Sequence, residues 1–84
     1  MMTGMLWLDD DKARSLDEKV KRAAAYYEEK YGLAAELCLV NKAMLAEARQ
    51  VDQVEVRPVN NVILHHFWVG RAQDAAAKGS RAHI

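Results

Sequence analysis

Hydrophobic and polar positions follow two different periods along this chain. From Leu16 to Tyr31 the period is helical: Leu16, Val20, Ala23, Ala24, Tyr27 and Tyr31 share one face, while Lys21, Arg22, Ala25, Glu28 and Glu29 fall largely elsewhere. Ser15 stands where an N-cap belongs and Glu18 follows three residues later, the spacing of a capping box. Asp17 and Glu18 complement the positive end of the helix dipole. Gly32 supplies the residue that tolerates a left-handed C-terminal turn. A helix over Ser15–Tyr31 follows.

Elsewhere the pattern is that of strands. Val62-Ile63-Leu64-His65-His66-Phe67-Trp68-Val69 is the longest near-continuous apolar run, bounded by Asn60-Asn61 and Gly70. It reads as an inner strand buried on both faces. Met5-Leu6-Trp7-Leu8 reads as a short strand or apolar anchor, ended by Asp9-Asp10-Asp11, a solvated turn with neither the spacing nor the glycine of a calcium loop. Glu36–Val40 is a further strand, with Leu37 and Leu39 on one face and Glu36, Cys38 and Val40 on the other. Asn41 looks like an N-cap for a second, shorter helix from Lys42 to about Arg49, with Met44 and Leu45 turned to the core. Val51 to Arg57 reads as a half-exposed strand, Val54 and Val56 inward and Glu55 and Arg57 outward, stopped by Pro58 and paired in an antiparallel hairpin with the strand at 62–69. Residues 71–84 are expected to form a short helical or frayed tail.

The order is therefore β-α-β-α-β-β. The expected fold class is α/β or α+β, a small three- to four-stranded mixed sheet against one long amphipathic helix and one short helix. With 84 residues, 51% hydrophobic and 29% charged, the chain is expected to be one globular domain with its core at about 5–70. At this size self-association is a natural supplement to stability. Twelve basic and twelve acidic side chains cancel, which weighs against a dominant nucleic-acid footprint. The single cysteine forms no intrachain disulfide and the start lacks the basic residues of a signal peptide, so the expected setting is cytoplasmic, with no membrane association.

Candidate chemistry is thin. On one strand His65 and His66 would point to opposite faces and could not chelate one ion, and one cysteine with three histidines at no metal spacing implies no metal or other cofactor. Cys38 with a histidine and an asparagine has the residue types of a nucleophile, base and orienter, but no oxyanion turn surrounds it. A nucleic-acid surface would draw on Arg57, His65 or His66, Trp68 and Arg71. Tyr26, Tyr27 and Tyr31 fit the core or an interface better than base stacking.

The stretches Ala24-Ala25-Tyr26-Tyr27 through Lys30-Tyr31-Gly32, Cys38-Leu39-Val40-Asn41 and His66-Phe67-Trp68-Val69-Gly70 resemble a group of small uncharacterised bacterial proteins. The resemblance implies a bacterial, cytoplasmic domain that stands alone, and implies no activity. The expected role is an accessory or interaction domain, a homodimer or the binder of a partner protein, using a surface drawn from His65, His66, Trp68, Arg57, Tyr26 and Cys38. Weak nucleic-acid binding is the alternative and a small cysteine-dependent enzyme the third reading.

Overall fold

The computed structural model describes residues 4–71, which form five strands and one helix. The strands are β1 (Met5–Leu8), β2 (Leu37–Asn41), β3 (Arg49–Val51), β4 (Val54–Val59) and β5 (His66–Gly70), and the helix α1 (Leu16–Tyr31) lies between β1 and β2 in sequence. They make a mixed sheet of order β1-β5-β2-β4-β3. β5 runs antiparallel to both β1 and β2, so β1 and β2 are parallel with β5 inserted between them. β2 and β4 are parallel, and β3 closes the far edge antiparallel to β4. The class is α+β, with five strands rather than three or four.

The helix forms as its local chemistry directs. Ser15 Oγ accepts from the Glu18 amide, and Glu18 Oε1 accepts from the Ser15 amide in return. Gly32 ends the helix at φ 73°, its amide donating to the Glu28 carbonyl. Val20, Ala23 and Tyr27 are fully buried against Phe67, Val69, Cys38, Val40 and Val56. One face of the sheet is thus covered by α1, and Leu37 and Leu39 point to the other.

Five expectations are corrected. The second helix does not form: residues 42–48 are turns and bends. Asn41 does act on the following backbone, its Oδ1 accepting from Ala43, but its side-chain amide is committed to the Val62 carbonyl. Seven residues must carry the chain from β2 past β4 to β3 while packing Met44 and Leu45 on the core, and so short a segment has too little helical stability to resist.

The expected strand at 62–69 is a strand only from His66. The chain leaving β4 must step over the end of β2 to reach β5, and Asn41, at that end, holds Val62 from below. Met44 Sδ accepts from the His65 amide, and His65 takes a left-handed turn at φ 67°. Ile63 and Leu64 are consequently exposed rather than core. For the same reason β4 and β5 are not a hairpin, since β2 separates them.

The expected strand at 51–57 is two strands, β3 and β4, joined at Asp52-Gln53 with Asp52 left-handed at φ 53°. Pro58 does not stop β4. The amides of Glu55 and its odd-numbered neighbours face β2, which turns the Pro58 nitrogen the other way, where β3 has already ended. A missing donor does no harm there. The expected C-terminal helix lies outside the described residues.

Candidate functional site

The alternation of side chains along the strands sorts the candidate residues by face. Register pairs Leu6 with Trp68, Trp68 with Leu39, and Leu39 with Arg57, so these four make one row across the face of the sheet that no other described element covers. Leu8 and His66 make the next row beside it. Leu6 and Leu8 are 59% and 58% exposed. A sheet face of this kind is normally buried by something.

Trp68 is spread along that face over two glycines, Gly4 and Gly70, which continue the β1–β5 register opposite each other. A Cβ at Gly4 would stand 2.2 Å from Trp68 Cε2 and Cζ2, and one at Gly70 would stand 2.5 Å from Cη2. Any larger residue at either position would push the ring off the sheet. These two glycines are the part of the site that residue-by-residue sequence reasoning missed. For Gly70 the signal was present, since a glycine two residues after a strand tryptophan shares its face; Gly4 meets Trp68 only through the pairing of β1 with β5.

His66 opens β5 on the uncovered side, and its Nδ1 lies 3.0 Å from the Leu64 carbonyl. In the neutral ring Nδ1 then carries the proton and Nε2 is the acceptor. His65 is in the preceding turn at φ 67°, so its side chain does not follow the alternation of β5, although its carbonyl still accepts from the Asp9 amide. Arg57 is exposed and held at home by Glu55, Nε to Oε2 at 2.8 Å. That hydrogen bond, then the charge of Glu55, raises the guanidinium pKa above its ordinary value.

Cys38 is on the opposite face, fully buried between Val56 and Val69 in the middle of the sheet. Burial alone pushes its thiol up to about 12, so at neutral pH it is a thiol and not a thiolate. The sheet separates it from His66. Cys38 and the histidines are therefore not assembled into a nucleophile and base. Among the described residues no cluster of histidine, cysteine or carboxylate side chains can hold a metal ion. Asp9 and Asp11 of the acidic triplet cap their own turn and pair with Arg14.

Tyr26 sits on the flank of α1 above β1, 51% exposed, and leans on Trp7 with ring centroids 4.7 Å apart and planes tilted by 41°. Together with Arg22, Ala25 and Glu29 this pair lines a shallow cleft of about 270 Å³. The Trp7 indole N–H is buried with no acceptor among the described residues. On the other flank of α1 a wider groove of about 530 Å³ runs between the helix and the β3–β4 turn, lined by Ala24, Ala34, Ala35 and Val54 and rimmed by Lys21 and Asp52. It holds no convergent set of polar groups.

No family model, curated protein or solved structure matches this chain. What it does must be argued from its own surfaces. Among the described residues no helix is long and apolar enough to cross a membrane.

Proposed function

We propose that this protein is a small accessory interaction domain, without catalytic chemistry of its own, that works by associating with a second copy of itself on the β1 side. One observation carries the reading: Leu6 and Leu8 are more than half exposed on a strand that, among the described residues, has a neighbour on one side only, at the border of an apolar sheet face. Burying one such leucine is worth about 1.5–3 kcal/mol relative to leaving it in water. Two leucines from each of two copies, with the backbone of a free sheet edge, make a substantial drive to associate. A cytoplasmic setting suits a chain whose one cysteine is buried and protonated. Light scattering at micromolar concentration tests the reading. A dimer is expected, and a mass that stays at one chain at every concentration overturns it.

A second reading has one observation in its favour. Trp68, His66 and Arg57 share the uncovered face, an arrangement on which single-stranded nucleic acid could stack and be held. Against it, Arg57 is engaged by Glu55 and the row it ends is otherwise leucine and tryptophan. Titration with random single strands at low and moderate salt separates the two, because phosphate-driven binding weakens steeply over that range.

A further inference from the structure

We propose that two copies join edge to edge through antiparallel β1 strands, Leu6 of each opposite Leu8 of the other about a two-fold axis at Trp7, with Arg22 on each α1 set against the partner's Glu29. The proposal rests on the self-association reading above and gives it a symmetry and a register.

The phase of the β1–β5 ladder decides which backbone groups of β1 have no ladder partner among the described residues. Asp9 and His65 continue the β1–β5 register, and the Asp9 amide donates to the His65 carbonyl at 3.0 Å. Hydrogen-bonded pairs alternate in an antiparallel ladder, so Trp7 and Met5 also face β5. Leu6 and Leu8 therefore aim both amide and carbonyl at the open edge. Two residues spaced by two form one full set of antiparallel bonds when a second β1 lies alongside, Leu6 exchanging both bonds with the partner's Leu8.

The two edges of the sheet are treated differently. The β3 edge is three residues long, carries Arg49 and Gln50 exposed, and is followed by Pro58 on the strand beside it. Charge, shortness and proline are the devices that keep an edge from pairing. β1, four residues long, carries neither charge nor proline: Met5-Leu6-Trp7-Leu8 is apolar throughout. In the proposed register its exposed leucines from both copies interleave on the uncovered face.

The helix side of the same edge is self-complementary. Arg22, Ala25, Tyr26 and Glu29 follow i, i+3, i+4, i+7 spacing and line the cleft beside Trp7. Arg22 and Glu29, at its two ends, make no ion pair among the described residues, and lie about 10 Å apart along the helix. Tyr26 leans on Trp7, so an axis at Trp7 in the strand passes near the Ala25–Tyr26 turn in the helix. A two-fold axis at that level brings position 22 of one copy to position 29 of the other, twice. Two-fold interfaces require this reciprocity, residue i meeting j and j meeting i. Lys30, the adjacent cation, is turned over the Tyr31 ring at 5.4 Å.

Charge exchange tests the arrangement in the full chain, on residues exposed enough to leave the fold intact, which far-ultraviolet circular dichroism checks. Arg22→Glu alone and Glu29→Arg alone each place like charges together twice and should each weaken the dimer by about tenfold or more. The two variants mixed should form a heterodimer as tight as the wild type, since each then offers what the other lacks. The double variant R22E/E29R should recover the homodimer. If the wild type dimerises and the single variants do so equally well, the edge arrangement is wrong and self-association stands. If the wild type is a monomer throughout, both fall.

Discussion

Trp68 and Gly70 occupy the same face of β5, and the indole lies so close over the glycine that a Cβ there would stand 2.5 Å from Cη2. A methyl group at residue 70 must displace the ring, although alanine is otherwise the better strand residue of the two. Gly70→Ala should therefore lower stability by about 1–3 kcal/mol and shift tryptophan emission to the red as the ring moves toward water. Chemical denaturation followed by fluorescence reads both. A stabilised variant with unchanged emission would show that Trp68 does not lie on the sheet.

Cys38 gives a pH prediction with a definite sign. Burial raises its thiol pKa from an ordinary 9.0 to about 12. Between those values the unfolded chain loses the thiol proton and the folded one keeps it. The stabilising contribution is thus complete below about pH 9 and is lost as pH rises toward 12. Denaturation at pH 8, 9.5 and 10.5 should show this decline, and Cys38→Ala should show a shallower one. At neutral pH a thiol reagent should label the wild type only as fast as the sheet opens, accelerating with denaturant.

The capping box at the start of α1 is a local contribution that can be removed without touching the core. Ser15→Ala leaves the Glu18 amide without its acceptor and should cost about 0.5–2 kcal/mol in urea unfolding. No change in the midpoint would mean that solvent replaces the hydroxyl there at no loss.

Leu6→Lys puts on the β1 edge the kind of charge that β3 already carries. It should abolish association while leaving the monomer's unfolding midpoint nearly unchanged, because the Leu6 side chain is mostly in water in a single chain. Sedimentation and thermal unfolding, measured together, separate this outcome from a general loss of structure.

How much of this was legible in the sequence depended on how local the determining contact was. The helix was readable because Ser15, Glu18 and Gly32 act within a few residues of themselves. The inward and outward alternation at Leu37–Val40 and at Val54–Arg57 was readable for the same reason. Strand order was not, because the insertion of β5 between β1 and β2 is set by contacts more than 25 residues apart. Lys42–Arg49 has helix-forming alanines, yet its conformation is decided by the distance it must span and by Met44 reaching His65. Val62-Ile63-Leu64 looked like strand because nothing in its composition records that the chain must cross the end of β2 there. Of the candidate surface, His66, Trp68 and Arg57 do share a face, whereas Cys38 lies on the other, His65 is in a turn, and Tyr26 sits on the helix flank. Leu6 and Leu8 drew no attention in sequence because four apolar residues do not reveal whether their strand is inside the sheet or at its edge.

Sedimentation velocity of the wild-type chain over a wide concentration range tests the central claim most directly. A reversible rise from the 9.5 kDa of one chain to twice that mass is expected, and it should be absent in Leu6→Lys. A single 9.5 kDa species at all concentrations would contradict it.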